Sequence, residues 1–218
     1  MLKNKCLICG CNTHSFESQK LKCIYHKCEN CEFIFKDKAN IVSLNEELRL
    51  YKLHNNSIND EKYVAYFKSF LSKAVFPYAN STKTWLDFGS GPEPVLAQIL
   101  KRDYNIEADI YDKFFAKDKV FIGEKYDVIS STEVAEHIAD PLEYFRLLKS
   151  LLNKNGILAI MTKFHPNDET QFLNWQYVRE QCHISFYSIH TMQKIAEIIG
   201  FEIIYTDNVK CITFKTKS

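Results

Sequence analysis

The chain has 218 residues, enough for one domain with a full hydrophobic core and a small appendage. Its apolar share of 46% is that of a globular protein, and its net charge of +1 argues against a large basic surface for nucleic acid while leaving room for a local one. The sequence shows no apolar leader segment and no run of membrane-spanning length. We therefore expect a soluble, cytoplasmic protein that does not engage a membrane.

Two cysteine pairs mark the N-terminal segment, which holds six of the eight cysteines within its first 31 residues. Cys6 and Cys9 form one C-x2-C pair, Cys28 and Cys31 form another, and eighteen residues separate the pairs. Each pair can offer two thiolates to one ion, so together they match a structural Zn²⁺ site. We predict a zinc ribbon over residues 1–40 with a core of its own. Three further residues lie nearby, the last of them an alternative ligand: Cys11, Cys23 and His26.

Residues 41–80 are predicted to form a helical linker or lid. One helix is predicted over Asn45–Tyr51, and a second begins at Asp60. Apolar residues recur at helical spacing in the second helix until Pro77 ends it. Residues 81–218 then form the main domain, in which strands and helices alternate as in a parallel sheet covered by helices.

A strand, a glycine turn and a helix follow one another over Thr84–Val95, T-W-L-D-F-G-S-G-P-E-P-V. Such a turn leaves the first N–H groups of the helix unpaired beside a crevice, and Gly89 and Gly91 let a ligand approach the backbone closely. Asp87 would repel a pyrophosphate but suits a cofactor that carries an amino group. The stretch therefore predicts a nucleotide-cofactor site at this turn.

The D-F-G-S-G-P-E segment resembles motif I of the class I S-adenosylmethionine (SAM)-dependent methyltransferases, D/E-x-G-x-G-x-G, with Glu93 in place of the third glycine. The resemblance implies SAM as the cofactor. It also implies an α/β, Rossmann-like sheet of seven strands with an antiparallel C-terminal hairpin. In these enzymes the helices before motif I commonly fold over the cofactor, which makes Tyr51, His54 and Asn55 candidate lid residues, although ordinary polar surface is the preferred interpretation for each one alone.

Apolar patterns and stop residues predict the other elements of the main domain. The predicted strands are Thr84–Phe88, Glu107–Asp112, a short one around Val120–Ile122, Tyr126–Ser131, Ile157–Met161, Phe201–Thr206 and Cys211–Lys215. The predicted helices are Pro94–Arg102, one that begins at Pro141 and stops at Gly156, and Thr191–Ile199, which stops at Gly200.

The second strand ends in Asp112, roughly 20 residues past the glycines, where a carboxylate can accept both ribose hydroxyls of the cofactor. The strand Tyr126–Ser131 resembles motif IV of the same enzymes. Together these features imply the following cofactor-binding residues: Asp87, Phe88, Gly89, Ser90, Gly91, Asp112, Ser131 and Thr132.

Glu133, Glu136 and His137 follow the motif IV strand, and in a helix their spacing would place them on one face. Glu-x-x-Glu-His resembles the corresponding segment of the ubiquinone-biosynthesis O-methyltransferases. It also resembles that of the small-RNA 3′-terminal 2′-O-methyltransferases, in which such residues and a later histidine, here His183, hold a catalytic metal. Two interpretations stay open. The four residues hold a divalent cation such as Mg²⁺ or Mn²⁺, or His137 and His183 act as acid or base without one.

A long aromatic loop starts at Met161 and is expected to build the substrate pocket. The whole pattern resembles a group of bacterial methyltransferases with N-terminal cysteine knuckles, and it predicts methyl transfer from SAM to a small-molecule acceptor, at a hydroxyl oxygen in preference to nitrogen or carbon. Two alternatives remain. One is an RNA methyltransferase whose ribbon grips the nucleic acid, as in certain rRNA methyltransferases. The other is a non-catalytic scaffold that binds SAM and zinc, which the departure at Glu93 would allow.

Overall fold

The computed structural model describes residues 4–53, 56–79 and 82–217 of the chain. The predicted lid residues His54 and Asn55 lie outside these ranges. The strands, in chain order, are Thr13–Ser18 (β1), Cys23–Cys28 (β2), Ile34–Lys36 (β3), Trp85–Phe88 (β4), Asp109–Tyr111 (β5), Tyr126–Thr132 (β6), Leu152–Met161 (β7), Ser185–Phe186 (β8), Phe201–Thr206 (β9) and Cys211–Thr216 (β10). The α-helices are Leu44–Tyr51 (α1), Glu61–Phe70 (α2), Val95–Tyr104 (α3), Pro141–Ser150 (α4), Glu169–Asn174 (α5) and Ile189–Ile199 (α6).

Six strands form the central sheet, in the order β5–β4–β6–β7–β10–β9. The first four run parallel, whereas β10 pairs antiparallel with both β7 and β9. The predicted α/β fold with a C-terminal antiparallel hairpin is confirmed. The seventh strand, expected around Val120–Ile122, is wrong: within the described residues this segment is a turn outside the central sheet, in which Phe121 is buried and Ile122 is 71% exposed.

Helices cover both faces of the central sheet. Trp85 of β4 and Val128 of β6 face α2 and α3 on one side. Their next neighbours along each strand, Leu86 and Ile129, face α4 and α6 on the other. This alternation follows from strand geometry and leaves the carboxyl ends of the parallel strands at one edge, where open α/β sheets bind ligands. None of the helices in the described ranges is long and apolar enough to cross a bilayer.

Capping residues fix most of the predicted helix ends. The Asp60 carboxylate accepts hydrogen bonds from the first N–H groups of α2, which continues beyond Phe70 as a π-helical turn over Leu71–Val75. Ser188 caps the start of α6, and Gly200, at φ +80°, ends it as predicted.

Gly156 is not the helix stop that the sequence predicted. Helix α4 already ends at Ser150, and Gly156 lies inside β7, where the register between β6 and β7 shifts. A Cβ atom at Gly156 would lie 2.8 Å from the Tyr126 carbonyl oxygen. The glycine is therefore explained by the close approach of two strands rather than by a helix end.

A second sheet, in the order β1–β2–β3–β8, contains the predicted ribbon. Its fourth strand comes from the main domain, where Phe186 pairs with Ile34 and Ser185 with Phe35. The side chains of Ile8 and Phe33 belong to the same buried cluster as residues of β4, β6, α4 and α6. The prediction that the ribbon has a core of its own is therefore wrong, because the ribbon packs directly onto one face of the central domain. The boundaries at residues 40 and 80 stay predictions.

Candidate active site

A cavity of about 710 Å³ opens at the carboxyl ends of the parallel strands, a volume typical of small-molecule sites. It is lined by the glycine turn, the end of β5, the segment after β6, α1, α2 and the long loop after β7. The cavity brings together all the predicted cofactor-binding and catalytic residues except Ser131. Ser131 is fully buried, and its hydroxyl donates to the Phe88 carbonyl oxygen at 2.7 Å and accepts from the Tyr144 hydroxyl at 2.7 Å.

The glycine turn after β4 presents open space to the cavity at one of its two glycines. A Cβ atom on Gly91, at φ +71°, would meet no atom within 4 Å. At Gly89, φ +90°, the same atom would overlap Val134. Gly89 is therefore required by the packing of the turn against the segment after β6, and close approach of a ligand falls to Gly91. Beside them, Ser90 Oγ is buried without a hydrogen-bond partner in the described structure.

Asp112 holds the two loops of the cofactor end together. One carboxylate oxygen accepts from Gly91 N–H at 3.0 Å, and the other accepts from the N–H groups of Phe114 and Phe115 at 2.8 and 3.1 Å. A carboxylate offers about four acceptor positions, and these three bonds leave one of them, on the oxygen that accepts from Gly91. The predicted ribose ligand thus lies at the expected strand end, next to the glycine turn.

Asp87 is a buried carboxyl at the end of β4. Loss of solvation raises the pKa of Asp87 to about 7, although Ser130 Oγ donates a hydrogen bond to it at 3.2 Å. A positively charged group in the cavity would restore the ionised form. Burial thus explains why Asp87 would prefer a cofactor with an amino group, because a positive charge offsets the solvation that the carboxylate has lost.

The segment after β6 does not form the expected helix. Glu133 follows the strand with φ +54°, and a single 3-10 turn covers Ala135–His137. Positive φ costs a non-glycine residue about 1 kcal/mol or more. The Glu133 N–H group donates to the Met161 carbonyl oxygen at 2.7 Å. Despite the different backbone, Glu133, Glu136 and His137 all line the cavity.

Tyr177, from the long aromatic loop, joins the two glutamates. Its hydroxyl lies 3.1 Å from Glu133 Oε2 and also bonds to Glu136 Oε1. Burial, and secondly the Glu133 carboxylate, raise the pKa of Glu136 well above its usual range. A second hydroxyl, from Tyr66, donates to Glu133 Oε1 at 2.6 Å. Sequence reasoning missed Tyr66, whose only signal was its place on α2 one turn from Tyr63.

The two histidines lie together at the same end of the cavity, with ring centroids 4.8 Å apart. His137 Nδ1 lies 3.1 Å from the Cys182 carbonyl oxygen, and His183 Nδ1 lies 2.8 Å from the Tyr177 carbonyl oxygen. A carbonyl oxygen only accepts, so Nδ1 carries the proton and Nε2 holds the lone pair in each neutral ring. His183 Nε2 lies 4.0 Å from Glu136 Oε1.

A family model described as "Methyltransferase domain" matches residues 60–206, from the cap of α2 to the end of β9. The chain belongs to this methyltransferase family. Family membership implies SAM as the methyl donor, and the sheet and site identify the class I fold. The match begins at residue 60, within the segment 41–80 that the sequence predicts as a helical linker.

Curated relatives match shorter stretches of the methyltransferase. A ubiquinone biosynthesis O-methyltransferase from Dinoroseobacter shibae is 35% identical over 82 residues, which is 38% of this chain and 32% of that protein. One from Cereibacter sphaeroides is 38% identical over 52 residues, 24% of this chain and 21% of that protein. The matched segments therefore span only about a fifth to a third of these relatives.

Solved structures share the fold of the methyltransferase at low identity. The mitomycin 7-O-methyltransferase MmcR aligns with a TM-score of 0.53 and 12% identity, over 80% of this chain and 66% of that one. An O-methyltransferase family protein from Burkholderia thailandensis aligns with a TM-score of 0.53 and 13% identity, over 79% of this chain and 63% of that one. At such identities the likeness shows the fold alone.

Three residues of the methyltransferase site have the chemistry of a cation site. Ligand atoms of Glu136, His137 and His183 all lie within 4.8 Å of one another. Glu136 Oε2 is buried and has no hydrogen-bond partner in the described structure. Glu133, predicted as a fourth ligand, is not in this group; its two oxygens accept from Tyr66 and Tyr177.

The four cysteines of the methyltransferase's ribbon converge as predicted. Cys6 and Cys31 have their Sγ atoms 3.4 Å apart, as do Cys9 and Cys28, and all four lie within 4.8 Å of one another. A tetrahedral Zn²⁺ with bonds of about 2.3 Å would place its sulfurs about 3.8 Å apart, so the cluster fits that ion. His26 is not an alternative ligand, because its ring bonds to Asp37 Oδ2 at 2.8 Å outside the cluster.

Helix α1 covers the cavity of the methyltransferase. The buried Glu47 carboxylate pairs with Lys113 Nζ at 2.6 Å, and Lys113 directly follows Asp112. The Tyr51 ring lies between Phe114, at 5.7 Å, and His137, at 5.2 Å, measured between centroids. Tyr51 thus contacts both the loop after Asp112 and the turn that bears His137, and its role as a lid residue stays a prediction.

Proposed function

We propose that the chain is a SAM-dependent methyltransferase that methylates a small-molecule acceptor at a hydroxyl oxygen. The observation that carries the proposal is one cavity that joins the glycine turn and Asp112 to the Glu133, Glu136, His137 and His183 end. The curated relatives are named O-methyltransferases, which supports oxygen as the accepting atom.

The residues at the cofactor end fit SAM. Gly91 leaves open space beside the turn, and the buried Ser90 hydroxyl has no partner in the described chain. Asp112 would hold the ribose and Asp87 would favour a nearby amino group. When bound, SAM supplies an electrophilic methyl group, and the protein binds, orients and excludes water.

A hydroxyl acceptor must lose its proton to become a strong nucleophile. Bonds from Nδ1 to backbone carbonyls hold the rings of His137 and His183 in place, and His183 Nε2 lies 4.0 Å from Glu136 Oε1. Imidazole titrates nearest neutral pH, so these two residues are our proposed acid/base pair. Tyr177 and the two glutamates would then position the acceptor oxygen by hydrogen bonds.

A divalent cation is a second candidate at the same residues, favoured by the unpartnered Glu136 Oε2 atom. Glu136, His137 and His183 would hold it, and their mixed oxygen and nitrogen atoms suit Mn²⁺ better than Mg²⁺. Such an ion would lower the pKa of an acceptor hydroxyl. Activity lost in chelator and regained with Mn²⁺, at constant ribbon zinc, would establish the cation, whereas full activity in chelator would leave the histidine base.

Incubation of the protein with methyl-tritiated SAM and a cell extract tests the reaction class. We expect label in the small-molecule fraction, dependent on His137 and His183. Label in RNA, with binding that weakens steeply as salt rises, would instead establish the RNA methyltransferase alternative. SAM binding without label in any fraction would establish the scaffold alternative.

Asp112→Asn tests the cofactor end by itself. The variant keeps the shape of Asp112 but loses its charge, so SAM affinity should fall about tenfold or more. Asp118→Asn, an exposed carboxyl of the same loop, is the matched control and should bind normally. Unchanged affinity of Asp112→Asn in calorimetry would remove that residue from the site.

A further inference from the structure

The Cys28–Cys31 end of the ribbon is hydrogen-bonded to the segments on either side of the loop that carries Tyr177 and His183. Thr191 Oγ1 donates to the Cys31 carbonyl oxygen at 2.8 Å. His165 Nε2 lies 2.9 Å from the carbonyl oxygen of Glu32, the residue that follows the last cysteine. Both contacts join the Cys28–Cys31 knuckle to residues on either side of the loop that carries Tyr177 and His183.

Strand β3 continues this connection toward His183. Its Lys36 N–H group donates to the Ile184 carbonyl oxygen at 2.9 Å. The Lys36 ammonium, on a side chain only 5% exposed, donates to the Gln181 carbonyl oxygen at 2.7 Å. Gln181 and Ile184 stand before and after Cys182 and His183 in the chain. One ribbon lysine is therefore hydrogen-bonded to the backbone on both sides of His183. A buried ammonium loses solvation, which its bond to this carbonyl offsets in part.

The other edge of the same segment is bonded to the catalytic turn. Ile184 N–H donates to the Glu136 carbonyl oxygen at 2.8 Å, and Ser185 Oγ donates to that of Ile138 at 2.6 Å. The Cys182 carbonyl oxygen accepts from His137 Nδ1. Residues 182–186 therefore lie between ribbon strand β3 on one side and the turn that bears Glu136 and His137 on the other.

We propose that the metal-loaded ribbon is a positioning element of the active site, which sets the geometry of His183 through β3 and Lys36. The proposal rests on the proposed function and extends it. In this role the ribbon would affect only the end of the cavity that holds His183. Its effect would be indirect, because no ribbon residue among the described residues lines the cavity. The cofactor end, on β4 and β5, lies on strands that β3 does not touch.

Lys36→Met is the direct test, because it removes the ammonium at similar volume. Lys38→Met, an exposed lysine two residues away, is the matched control. In the metal-loaded protein we expect amide hydrogen exchange at Ile184–Phe186 to speed up about tenfold in Lys36→Met and not in Lys38→Met. The imidazole ¹⁵N signals of His183 should shift, those of His14 should not, and SAM affinity should stay within about twofold.

Removal of the ribbon metal from the wild-type chain is the second measurement, which does not depend on how well Lys36→Met folds. We expect the His183 imidazole signals to shift while SAM affinity is retained. Unchanged His183 signals after metal removal, or unchanged exchange at Ile184–Phe186 in a folded Lys36→Met, would overturn the proposal. Both readouts work without SAM, so a wild-type protein that fails to bind SAM would refute the proposed function and leave this inference standing.

Discussion

At the scale of single residues, Asp87 should couple cofactor binding to pH. Burial raises the pKa of its carboxyl to about 7, and the amino group of SAM would draw that pKa down. SAM should therefore bind about tenfold more tightly at pH 8 than at pH 6, with release of a proton in between. Calorimetry in two buffers of different ionisation enthalpy measures that proton.

The same carboxyl predicts the sign of a stability change without SAM. The folded-state pKa of Asp87 is raised to about 7, so its contribution to the free energy of unfolding is complete below the ordinary pKa near ~4. That contribution is lost as the pH rises through about 7. Asp87→Asn should remove both pH dependences, whereas exposed Asp118→Asn should keep them. Equal SAM affinity of the wild type at pH 6 and pH 8 would contradict this account of Asp87.

The two glycines of the turn should respond differently to substitution. Gly91→Ala should cost about 1 kcal/mol of unfolding free energy, from its left-handed backbone, and at least about tenfold in SAM affinity. Gly123→Ala is its control, because Gly123 also has positive φ, +86°, and open space around it, but lies away from the cavity. Gly89→Ala should destabilise the protein most, through Val134. Chemical denaturation measures the stability and calorimetry measures the SAM affinity. Normal SAM binding by Gly91→Ala would contradict the close approach of the cofactor to the backbone at Gly91.

The sequence pattern explains the positions of Asp87, Gly91 and Asp112 better than it explains the contacts of Glu133. Asp87, Gly91 and Asp112 sit at strand ends that apolar runs reveal, and strand ends converge in any parallel sheet. The clustering of Glu133 with Tyr66 and Tyr177 depends on a positive φ angle and on a helix and a loop far apart in sequence. Neither follows from local pattern.

At the scale of elements, α1 should control how long the cofactor stays bound. Its Glu47 carboxylate is buried against Lys113, whereas its neighbour Glu46 is only half-buried and pairs with Arg49. Glu47→Gln should weaken a charge-assisted bond by about 1 kcal/mol and speed SAM dissociation about fivefold. Glu46→Gln provides the control within the same helix. Stopped-flow dissociation rates that match in the two variants would show that α1 does not hold the cofactor.

Elements with strong end signals were predicted well, and those without were not. Asp60 and Gly200 mark the predicted helix ends by local hydrogen bonding, whereas the Ser188 cap begins α6 at Ile189, two residues before the predicted Thr191. Gly156 carried the same signal but is explained by a close contact with Tyr126 of another strand. The two-residue strand β8 has no periodicity to detect, since two residues fit any pattern.

At the scale of the whole molecule, the ribbon and the central domain should unfold together. Cys28, Cys31 and Phe33 share a buried cluster with Leu86 and Phe214 of the central sheet. Metal analysis should find one Zn²⁺ per chain, and its removal should lower the Tm of a single transition by about 10 °C. Cys28→Ser should behave like the chelated protein, and surface Cys11→Ser should not. Two transitions, the second unaffected by chelation, would show that the domains are independent.

The shared sheet also has a consequence for how the chain is made. Strand β3 receives its outer neighbour only when Phe186 has been synthesised, late in the chain. Until then the nascent ribbon presents an unpaired strand edge, which is a template for association with other chains. Fragments that end before residue 186 should therefore aggregate. In the cell, productive folding of this protein would depend on completing translation before the unpaired edge of β3 associates with a strand edge of another chain.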